Sequence, residues 1–421
     1  MTNVRNLLFI SALPLFFVSF STEVRGADAL DPKKFTVCSA SINSTEEADV
    51  VRKHLSSGKN RESFQFVELT QLGTPPDQTS GVVPDWFERA CQSGIQCDML
   101  VISAHFTSTG YFSDKTNPSP LRYPLRTENV EAHACSKDCS GILSNPREIF
   151  MMSCNTLATK KEDHRTPEKY LEILKNDGAI RSKAERAVED RYGELGPTNR
   201  EQTEFEFAGS FRLYGFKSTS QLADNNARYL DDYFNHIPDY SQHLQKDATL
   251  QMSKGLDQLQ KFAPNLEMSS AFRETSFCQA SGKYPDDGNT EKELWKNLCA
   301  LRNEQTPLID RLKLARSILS RPDVALYVPD LELFFEKHSP DVYPMSDEEK
   351  NELSTFSDLP NAKTFVLKEI EQKKDYPTLR KRLIQLAATM SWIDKDRAQA
   401  LFVDVQNQLQ NSDGWPTESA F

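Results

Sequence analysis

The chain lacks three features that would each have suggested a class of protein. Basic residues do not outnumber acidic ones, since 50 lysines and arginines stand against 61 aspartates and glutamates for a net charge of −11. Phosphate binding needs a basic face, so we do not expect nucleic acid as a partner. Beyond residue 20 no apolar run is long enough to span a membrane. The third absence is that of cysteine in the first 30 residues, which argues against lipid attachment near the N-terminus.

The first 26 residues are expected to be a secretory signal peptide. The apolar segment Leu7–Phe20 follows Arg5 and is shorter than the roughly 20 residues of a membrane-spanning helix. Small residues then offer cleavage positions, and an uncleaved anchor is the alternative. No cysteine lies near these positions, so a lipid-anchored N-terminus is not expected. The mature protein is predicted to be exported, periplasmic or extracellular, without an integral membrane segment.

Export changes the interpretation of the eight cysteines, because thiols pair in an oxidising compartment. Spacing suggests three local disulfides, and leaves two cysteines that pair with each other or stay free. The three predicted pairs are Cys91 with Cys97, Cys135 with Cys139, and Cys278 with Cys299, and the remaining two are Cys38 and Cys154. His133 together with Cys135 and Cys139 could instead bind a metal, but a fourth ligand is not evident. We therefore expect disulfides, no metal and no cofactor.

The first half of the chain alternates strands with helices. Five apolar runs are predicted strands: Phe35–Ile42, Phe64–Leu69, Asp98–Ser103, Glu148–Ser153 and Phe211–Phe216. Helices are predicted between them, one opened by a capping box of Ser44 with Glu47 and another by Thr166 before Pro167. This alternation predicts an α/β fold with a mostly parallel sheet covered by helices on both faces.

The second half changes character, because no convincing strand follows about Leu222. Amphipathic segments predict helices separated by short polar turns, which favours a HEAT-type helical array or a simple helical bundle. In the segment after Thr306, one face is predicted to carry Leu308, Ile309, Leu312, Ala315, Ile318 and Leu319. The expected organisation is an α/β domain over residues 27–240, a helical connection over 241–290, an α-helical domain over 291–412 and a tail over 413–421.

Two predicted strands end on residues that could act together. The run "DMLVISAHF" places His105 just past one apolar strand, and "IFMMSCNT" places Cys154 just past another. In open α/β sheets, sites form at the carboxyl ends of the strands, and neighbouring strands lie about 5 Å apart. A cysteine nucleophile needs a histidine that relays protons, so the two residues are a candidate catalytic dyad.

At these residues the chain resembles the caspase-like cysteine peptidases, a superfamily that includes caspases, gingipains, legumain, separase and the bacterial CHAT proteins. The resemblance rests on a strand ending in histidine and a later strand ending in cysteine, about 50 residues apart. The segment "MMSCNTLA" is similar to the CHAT pattern "LSACNT". The resemblance covers about Phe35–Asp239 and implies a peptidase with Cys154 as nucleophile and His105 as base.

The sequence departs from the superfamily pattern beside both residues. Phe106 follows His105 where members usually have a glycine whose amide contributes to the oxyanion hole, and Gly110 lies four residues downstream. Asn155 follows Cys154, so the caspase cysteine motif is absent. The expected oxyanion donors are therefore the backbone amides of Cys154 and of the Phe106–Gly110 turn.

The resemblance also implies a pocket for the substrate side chain, lined by the loop after the fifth strand, Lys217–Asn226. Asp224, or else Asp163, would receive a basic side chain, whereas Lys217 would favour an acidic one; the sequence weakly favours basic. The predicted function is a secreted cysteine endopeptidase acting on a protein or peptide. The alternative is a catalytically silent caspase-like protein whose helical half binds a protein partner.

Overall fold

A central six-stranded sheet dominates the first half of the computed structural model. The structure describes residues 30–72, 85–107, 110–113, 125–135, 139–160, 166–176, 178–207, 212–245, 259–261, 263–269, 298–410 and 415. The six strands are β1 (Phe35–Ser41), β2 (Phe64–Glu68), β3 (Met99–Ser103), β7 (Glu148–Met152), β8 (Arg212–Phe216) and β9 (Leu266–Ser269). They lie in the order β2–β1–β3–β7–β8–β9, and every neighbouring pair is parallel except the antiparallel β8–β9 pair.

The five strands predicted in the first half are confirmed, and each differs from its prediction by one residue at one end. Every residue of β3, β7 and β8 is buried, as expected for strands covered on both faces. The mostly parallel α/β architecture is therefore confirmed. The prediction that no strand follows Leu222 was wrong, because β9 pairs with β8 as the last strand at one edge of the sheet. This four-residue strand is too short to produce a clear alternation of apolar residues in the sequence.

A second, small sheet follows β3 directly and was not predicted. It consists of β4 (His105–Thr107), β5 (Gly110–Phe112) and β6 (Leu125–Arg126), paired antiparallel in that order. His105 therefore begins a new strand only two residues after Ser103 ends the central one. The chain leaves the main sheet at this point, and the small sheet stands beside its carboxyl edge.

Helices cover both faces of the central sheet. In the first half they are α1 (Glu46–Leu55), α2 (Trp86–Gln92), α3 (Thr127–Ala134), α4 (Ser140–Leu143), α5 (Pro167–Asn176), α6 (Arg181–Tyr192), α7 (Asn199–Glu206), α8 (Ala223–Asn235) and α9 (Tyr240–Gln245). One apolar core lies between the sheet and α1, α8 and α9, and it includes Val101 of β3 and Met152 of β7. The alternate residues Ile102 and Met151 point to the other face and a larger core.

The helix starts agree only partly with the predicted caps. Thr166 accepts a hydrogen bond from the Lys169 amide at 3.3 Å, as predicted for α5. The capping box predicted for α1 is not formed: Thr45 is the N-cap and makes no side-chain cap bond. Ser44 instead donates to the Glu47 carboxylate at 2.7 Å. The two residues were identified correctly, but they bond to each other rather than to the orphan amides of the helix.

The C-terminal part described by the structure is helical. Its helices are α10 (Leu308–Leu319), α11 (Val328–Lys337), α12 (Asp347–Ser354), α13 (Pro360–Gln372), α14 (Pro377–Thr389) and α15 (Lys395–Gln410). The face predicted for α10 is buried except Ile309, which is half-buried. Most of the predicted helical connection over 241–290 and nearly all of the predicted tail over 413–421 lie outside the described residues.

The C-terminal helices pack on the α/β part through one shared apolar core and through α6. The larger core contains residues of the sheet, such as Leu100, together with residues of α10–α15. Buried Glu185 of α6 accepts hydrogen bonds from the Thr378 and Leu379 amides at 2.8 and 3.1 Å. Glu189 forms an ion pair with Lys373 at 2.6 Å. The predicted boundary between two domains stays a prediction.

A buried ion pair joins β7 to β8 at the edge of the sheet opposite His105 and Cys154. Glu148, the first residue of β7, is fully buried, and Arg212 Nε of β8 lies 3.0 Å from its carboxylate. Tyr233 donates to the same carboxylate at 3.1 Å, and Tyr240 donates to it as well. Burial raises the Glu148 pKa, but Arg212, His243 and Tyr240 outweigh it and lower the pKa to about 2. Glu148 and Arg212 are also register partners in β7 and β8.

Three disulfides are present among the described residues, and none matches a predicted pair. Cys38 joins Cys97, Cys91 joins Cys139, and Cys135 joins Cys299. The predicted Cys91–Cys97 and Cys135–Cys139 pairs were wrong, and Cys299 does not pair with Cys278, which lies outside the described residues. The bridges connect distant segments: β1 to the start of β3, α2 to the start of α4, and α3 to the C-terminal half. Spacing along the chain does not report such proximity.

Candidate catalytic site at the carboxyl edge of the sheet

His105 and Cys154 follow two neighbouring parallel strands at the same level. Ser103, the last residue of β3, is the register partner of Met152, the last residue of β7. Each candidate residue comes two positions after its strand ends. The strand neighbours, their direction and their register therefore bring both residues to the carboxyl edge of the sheet, as the sequence predicted.

The side chains of His105 and Cys154 both point away from the larger core. Ala104 and Phe106 are buried in the larger core on the opposite face. His105 lies between them in the chain, so its side chain points the other way. Cys154 follows Met152, which packs on the α1 and α8 face, and its sulfur contacts the loop before α8. Cys154 therefore lies on the α8 side of the sheet.

Cys154 is the free cysteine among the described residues. Its side chain is half-buried, and its sulfur accepts a hydrogen bond from the Ser220 amide at 3.2 Å. A backbone N–H directed at sulfur favours the thiolate over the thiol, and the thiolate is the reactive form of cysteine. The predicted alternative of a Cys38–Cys154 bridge was wrong, because Cys38 is bonded to Cys97.

The chain turns sharply after Cys154, and several contacts hold the turn. Asn155 has a φ of 59°, the left-handed conformation that asparagine tolerates better than most residues. Its amide donates to the Ser218 carbonyl at 2.8 Å, and its own carbonyl accepts from Asn199 at 3.0 Å. Arg191 donates to its side-chain oxygen at 3.3 Å. The cysteine therefore sits on a turn whose backbone is bonded to α7 and to the segment after β8, and whose Asn155 side chain is bonded to α6.

His105 is half-buried at the start of β4. Its ring lies 5.6 Å, centroid to centroid, from the ring of Phe112, its register partner in β5. The small antiparallel sheet therefore orients the imidazole from outside the central sheet. The histidine is carried by a short strand rather than by a free loop, which limits its movement.

Phe106 and Gly110 take structural positions that explain their residue types. The Phe106 ring is buried in the larger core, 4.8 Å from the Tyr111 ring, and so finds its room away from the candidate site. Gly110 approaches β6 so closely that a Cβ atom would lie 2.6 Å from the Leu125 carbonyl oxygen. Whether the amides of Cys154, Phe106 and Gly110 form an oxyanion hole stays a prediction.

Two of the three predicted pocket residues, Lys217 and Asp224, are described, and they lie on different elements. Lys217 forms an ion pair with Glu267 of β9 at 3.2 Å, and its amide donates to Asn265. Asp224 is exposed in the first turn of α8, four residues after Ser220. Asp163 lies outside the described residues. An open cavity of about 350 Å³ instead lies at the ends of β1 and β2, lined by residues that include Asn43, Glu46, Asp49, Arg52, Glu68 and Ser113.

A buried polar network beside Cys154 was missed in the sequence. Glu47 is 1% exposed and accepts hydrogen bonds from Ser44 at 2.7 Å, from Ser103 at 2.8 Å and from Asn226 at 3.3 Å. Burial raises its pKa, against the opposing effect of these hydrogen bonds. The predicted capping box contained Glu47, but no sequence pattern connects Glu47 to Asn226, which lies 179 residues away in the chain.

The predicted alternative of a metal site at His133, Cys135 and Cys139 is not supported. The described group with metal-like spacing is Cys91, His133 and Cys139, and its two cysteines form a disulfide. Cys135 is bonded to Cys299 instead. His133 Nε2 forms an ion pair with Glu88 at 2.6 Å. The two sulfurs in the group are thus committed to each other and are not thiolate ligands.

Comparisons with other proteins leave the site to be judged on its own geometry. No family model matched the chain, and neither the search of curated proteins nor that of solved structures gave a match. Among the described residues, no helix is long and apolar enough to cross a membrane.

Proposed function

We propose that the protein is a cysteine endopeptidase that uses Cys154 as nucleophile and His105 as general base. The observation that carries the proposal is the Ser103–Met152 register, which sets the two residues at the same level past neighbouring parallel strands. Two further observations support it: Cys154 is kept out of the three disulfides, and its sulfur accepts the Ser220 amide.

The proposed reaction proceeds in two steps with a covalent intermediate. His105 takes the thiol proton, and the Cys154 thiolate forms a bond to the carbonyl carbon of the scissile peptide. The C–N bond then breaks as the histidine returns the proton to the leaving amine, which leaves a thioester. A water molecule, deprotonated by His105, attacks the thioester, and the thiol and a carboxylic acid are released. Backbone amides near Cys154 would stabilise the oxyanion in both steps.

The wider assignment follows the resemblance of the sequence. The order of a His-bearing strand before a Cys-bearing strand in a parallel sheet supports a caspase-like fold. The helices α10–α15 support an all-α region, for which we keep the HEAT-type array as the proposal and a bundle as the alternative. Disulfides form in oxidising compartments, so the three bridges support export, to the periplasm or outside the cell.

Peptide cleavage by the purified chain tests the proposed function. Wild-type protein is incubated with a peptide library, and the products are mapped by mass spectrometry. The library contains one series of peptides with a basic residue directly before the cleaved bond and one with an acidic residue there. Cys154→Ala should abolish cleavage, and His105→Ala should lower kcat/KM about 10²–10⁴-fold, the usual contribution of a general base. The basic series should be cleaved faster.

Two matched substitutions control for damage to the fold. Ser153→Ala changes the residue before the nucleophile, whose buried hydroxyl has no hydrogen-bond partner among the described residues. His236→Ala removes a more exposed histidine, which bonds to Asp232 in the last turn of α8. Both variants should cleave like the wild type. A folded wild-type protein that cleaves no peptide would favour the alternative, a catalytically silent protein whose helical half binds a partner.

A further inference from the structure

We propose that Glu47 is a positioning residue for Cys154, acting through Asn226 on the loop that presents the Ser220 amide to the sulfur. The inference rests on the proposed function, because it assigns a role within the same site. Glu47 does not contact the thiol. Its effect would pass through two hydrogen-bonded residues to the backbone donor.

The first step of the connection is the buried carboxylate. One carboxylate oxygen of Glu47 accepts hydrogen bonds from Ser44 at 2.7 Å and from Ser103 at 2.8 Å, and the other oxygen accepts one from Asn226 at 3.3 Å. Burying a carboxylate is unfavourable unless it is hydrogen-bonded, so these contacts constrain its position strongly. Ser103 ends β3 two residues before His105. The carboxylate thus connects α1 and the end of β3 to α8.

The second step is the Asn226 amide. Asn226 is 2% exposed in the first turn of α8, and its Nδ2 donates toward Glu47 Oε1, toward Ser220 Oγ at 3.0 Å and toward the Gln221 carbonyl at 3.3 Å. One nitrogen with two hydrogens therefore serves three oxygens, two of them in the loop before α8. Asn226 fixes this loop relative to the carboxylate.

The last step is the donor itself. The Ser220 amide donates to Cys154 Sγ at 3.2 Å. In general, a hydrogen bond donated to a charged group favours its charged form. Charged or titratable residues connected to this part of the site include His105, which follows the neighbouring strand, Arg191, which bonds to Asn155, and Glu47, which bonds to Asn226. The Glu47 charge taken alone would disfavour the thiolate. Positioning and charge therefore predict opposite effects when Glu47 is replaced.

The pH dependence of Cys154 alkylation separates these effects. The full chain with its disulfides intact is treated with iodoacetamide between pH 5 and pH 10, and modification is measured at the Cys154 peptide. Glu47→Ala and Asn226→Ala should each raise the midpoint by about one pH unit, because the donor is no longer held against the sulfur. Glu47→Gln keeps an oxygen for Asn226 and should leave the midpoint unmoved or lower. Asn225→Ala removes a neighbouring amide that accepts a hydrogen bond from Arg228, and it is the matched control.

Several outcomes would overturn the proposal. If Glu47→Ala and Glu47→Gln both lower the midpoint, Glu47 acts through its charge. If alkylation becomes faster at every pH with the same midpoint, the residues only shield the thiol. Thermal unfolding checks that each variant is folded. If Glu47→Ala cannot be purified as a folded protein, an unchanged alkylation midpoint in Asn226→Ala is sufficient to refute the connection between Asn226 and Cys154. The midpoint needs no peptidase activity, so a chain that cleaves nothing can still show the positioning effect.

Discussion

Replacing Glu148 by glutamine should remove a large, pH-dependent part of the stability. Glu148 is completely buried beside Arg212, and its pKa falls from 4.5 to about 2 in the folded chain. A shift of this size corresponds to about 3 kcal/mol at 1.36 kcal/mol per unit. Because the folded pKa is lowered, this stabilisation is complete above about pH 4.5. It is lost as the pH falls toward 2.

The variant Glu148→Gln loses the negative charge but keeps the shape of the side chain. It leaves the buried Arg212 guanidinium without its counter-ion, a change that costs about 3–5 kcal/mol in buried pairs. Urea unfolding at pH 7 should therefore give a free energy of unfolding about 3 kcal/mol below wild type. The difference between the two proteins should shrink steadily between pH 4.5 and pH 2.

The control is Glu62→Gln, because the Glu62 side chain is 86% exposed. That variant should change the free energy of unfolding by less than about 0.5 kcal/mol. A difference below about 1 kcal/mol for Glu148→Gln at pH 7 would refute the magnitude. A difference that stays constant down to pH 2 would refute the assigned titration. Cys154 alkylation should be unchanged if the variant is folded, because Glu148 lies at the other end of β7.

Three further predictions follow from the packing. Phe106→Gly empties a core position and should lower the free energy of unfolding in urea by about 3–5 kcal/mol. The alkylation rate of Cys154 in the folded variant should stay within a fewfold of wild type. A large loss of Cys154 reactivity would show that the Phe106 ring has a role in the site. Replacing Cys135 and Cys299 together by serine should lower that free energy by about 2–5 kcal/mol, and an unchanged value would show that the bridge does not form. Burial and the nearby Glu131 hold the Glu206 pKa well above its usual value of 4.5, so folding becomes less favourable as the pH rises above about 4.5. Glu206→Gln should therefore be more stable than wild type at pH 8 but not at pH 4. A variant that is more stable at pH 4 but not at pH 8 would contradict this.

The parallel sheet could be predicted because its strands are long apolar runs. Strands β3 and β7 are buried along their whole length, so the sequence shows an unbroken apolar segment that ends where the strand ends. The small sheet of β4, β5 and β6 could not be predicted, because its strands are two or three residues long and depend on pairing between them. Short strands carry too little pattern to distinguish them from a loop.

The positions of His105 and Cys154 at one edge also follow from those runs, whereas their surroundings do not. Cys38 pairs with Cys97 because β1 and β3 are neighbours, a fact about the sheet rather than about spacing in the chain. Likewise the Ser220 amide reaches Cys154 from the loop before α8, 66 residues later. Local patterns predict which residues end a strand, but contacts between distant loops arise only from the packed structure.

Covalent labelling with a peptidyl acyloxymethyl ketone tests the central claim, the Cys154 and His105 dyad, most directly. Folded wild-type protein is treated at pH 7, digested and mapped by mass spectrometry, with His105→Ala and His236→Ala treated in parallel. We expect an adduct on Cys154 in the wild type and in His236→Ala, formed at least about tenfold more slowly in His105→Ala because the thiolate then lacks its base. No adduct on Cys154, or one that forms equally fast without His105, would contradict the dyad.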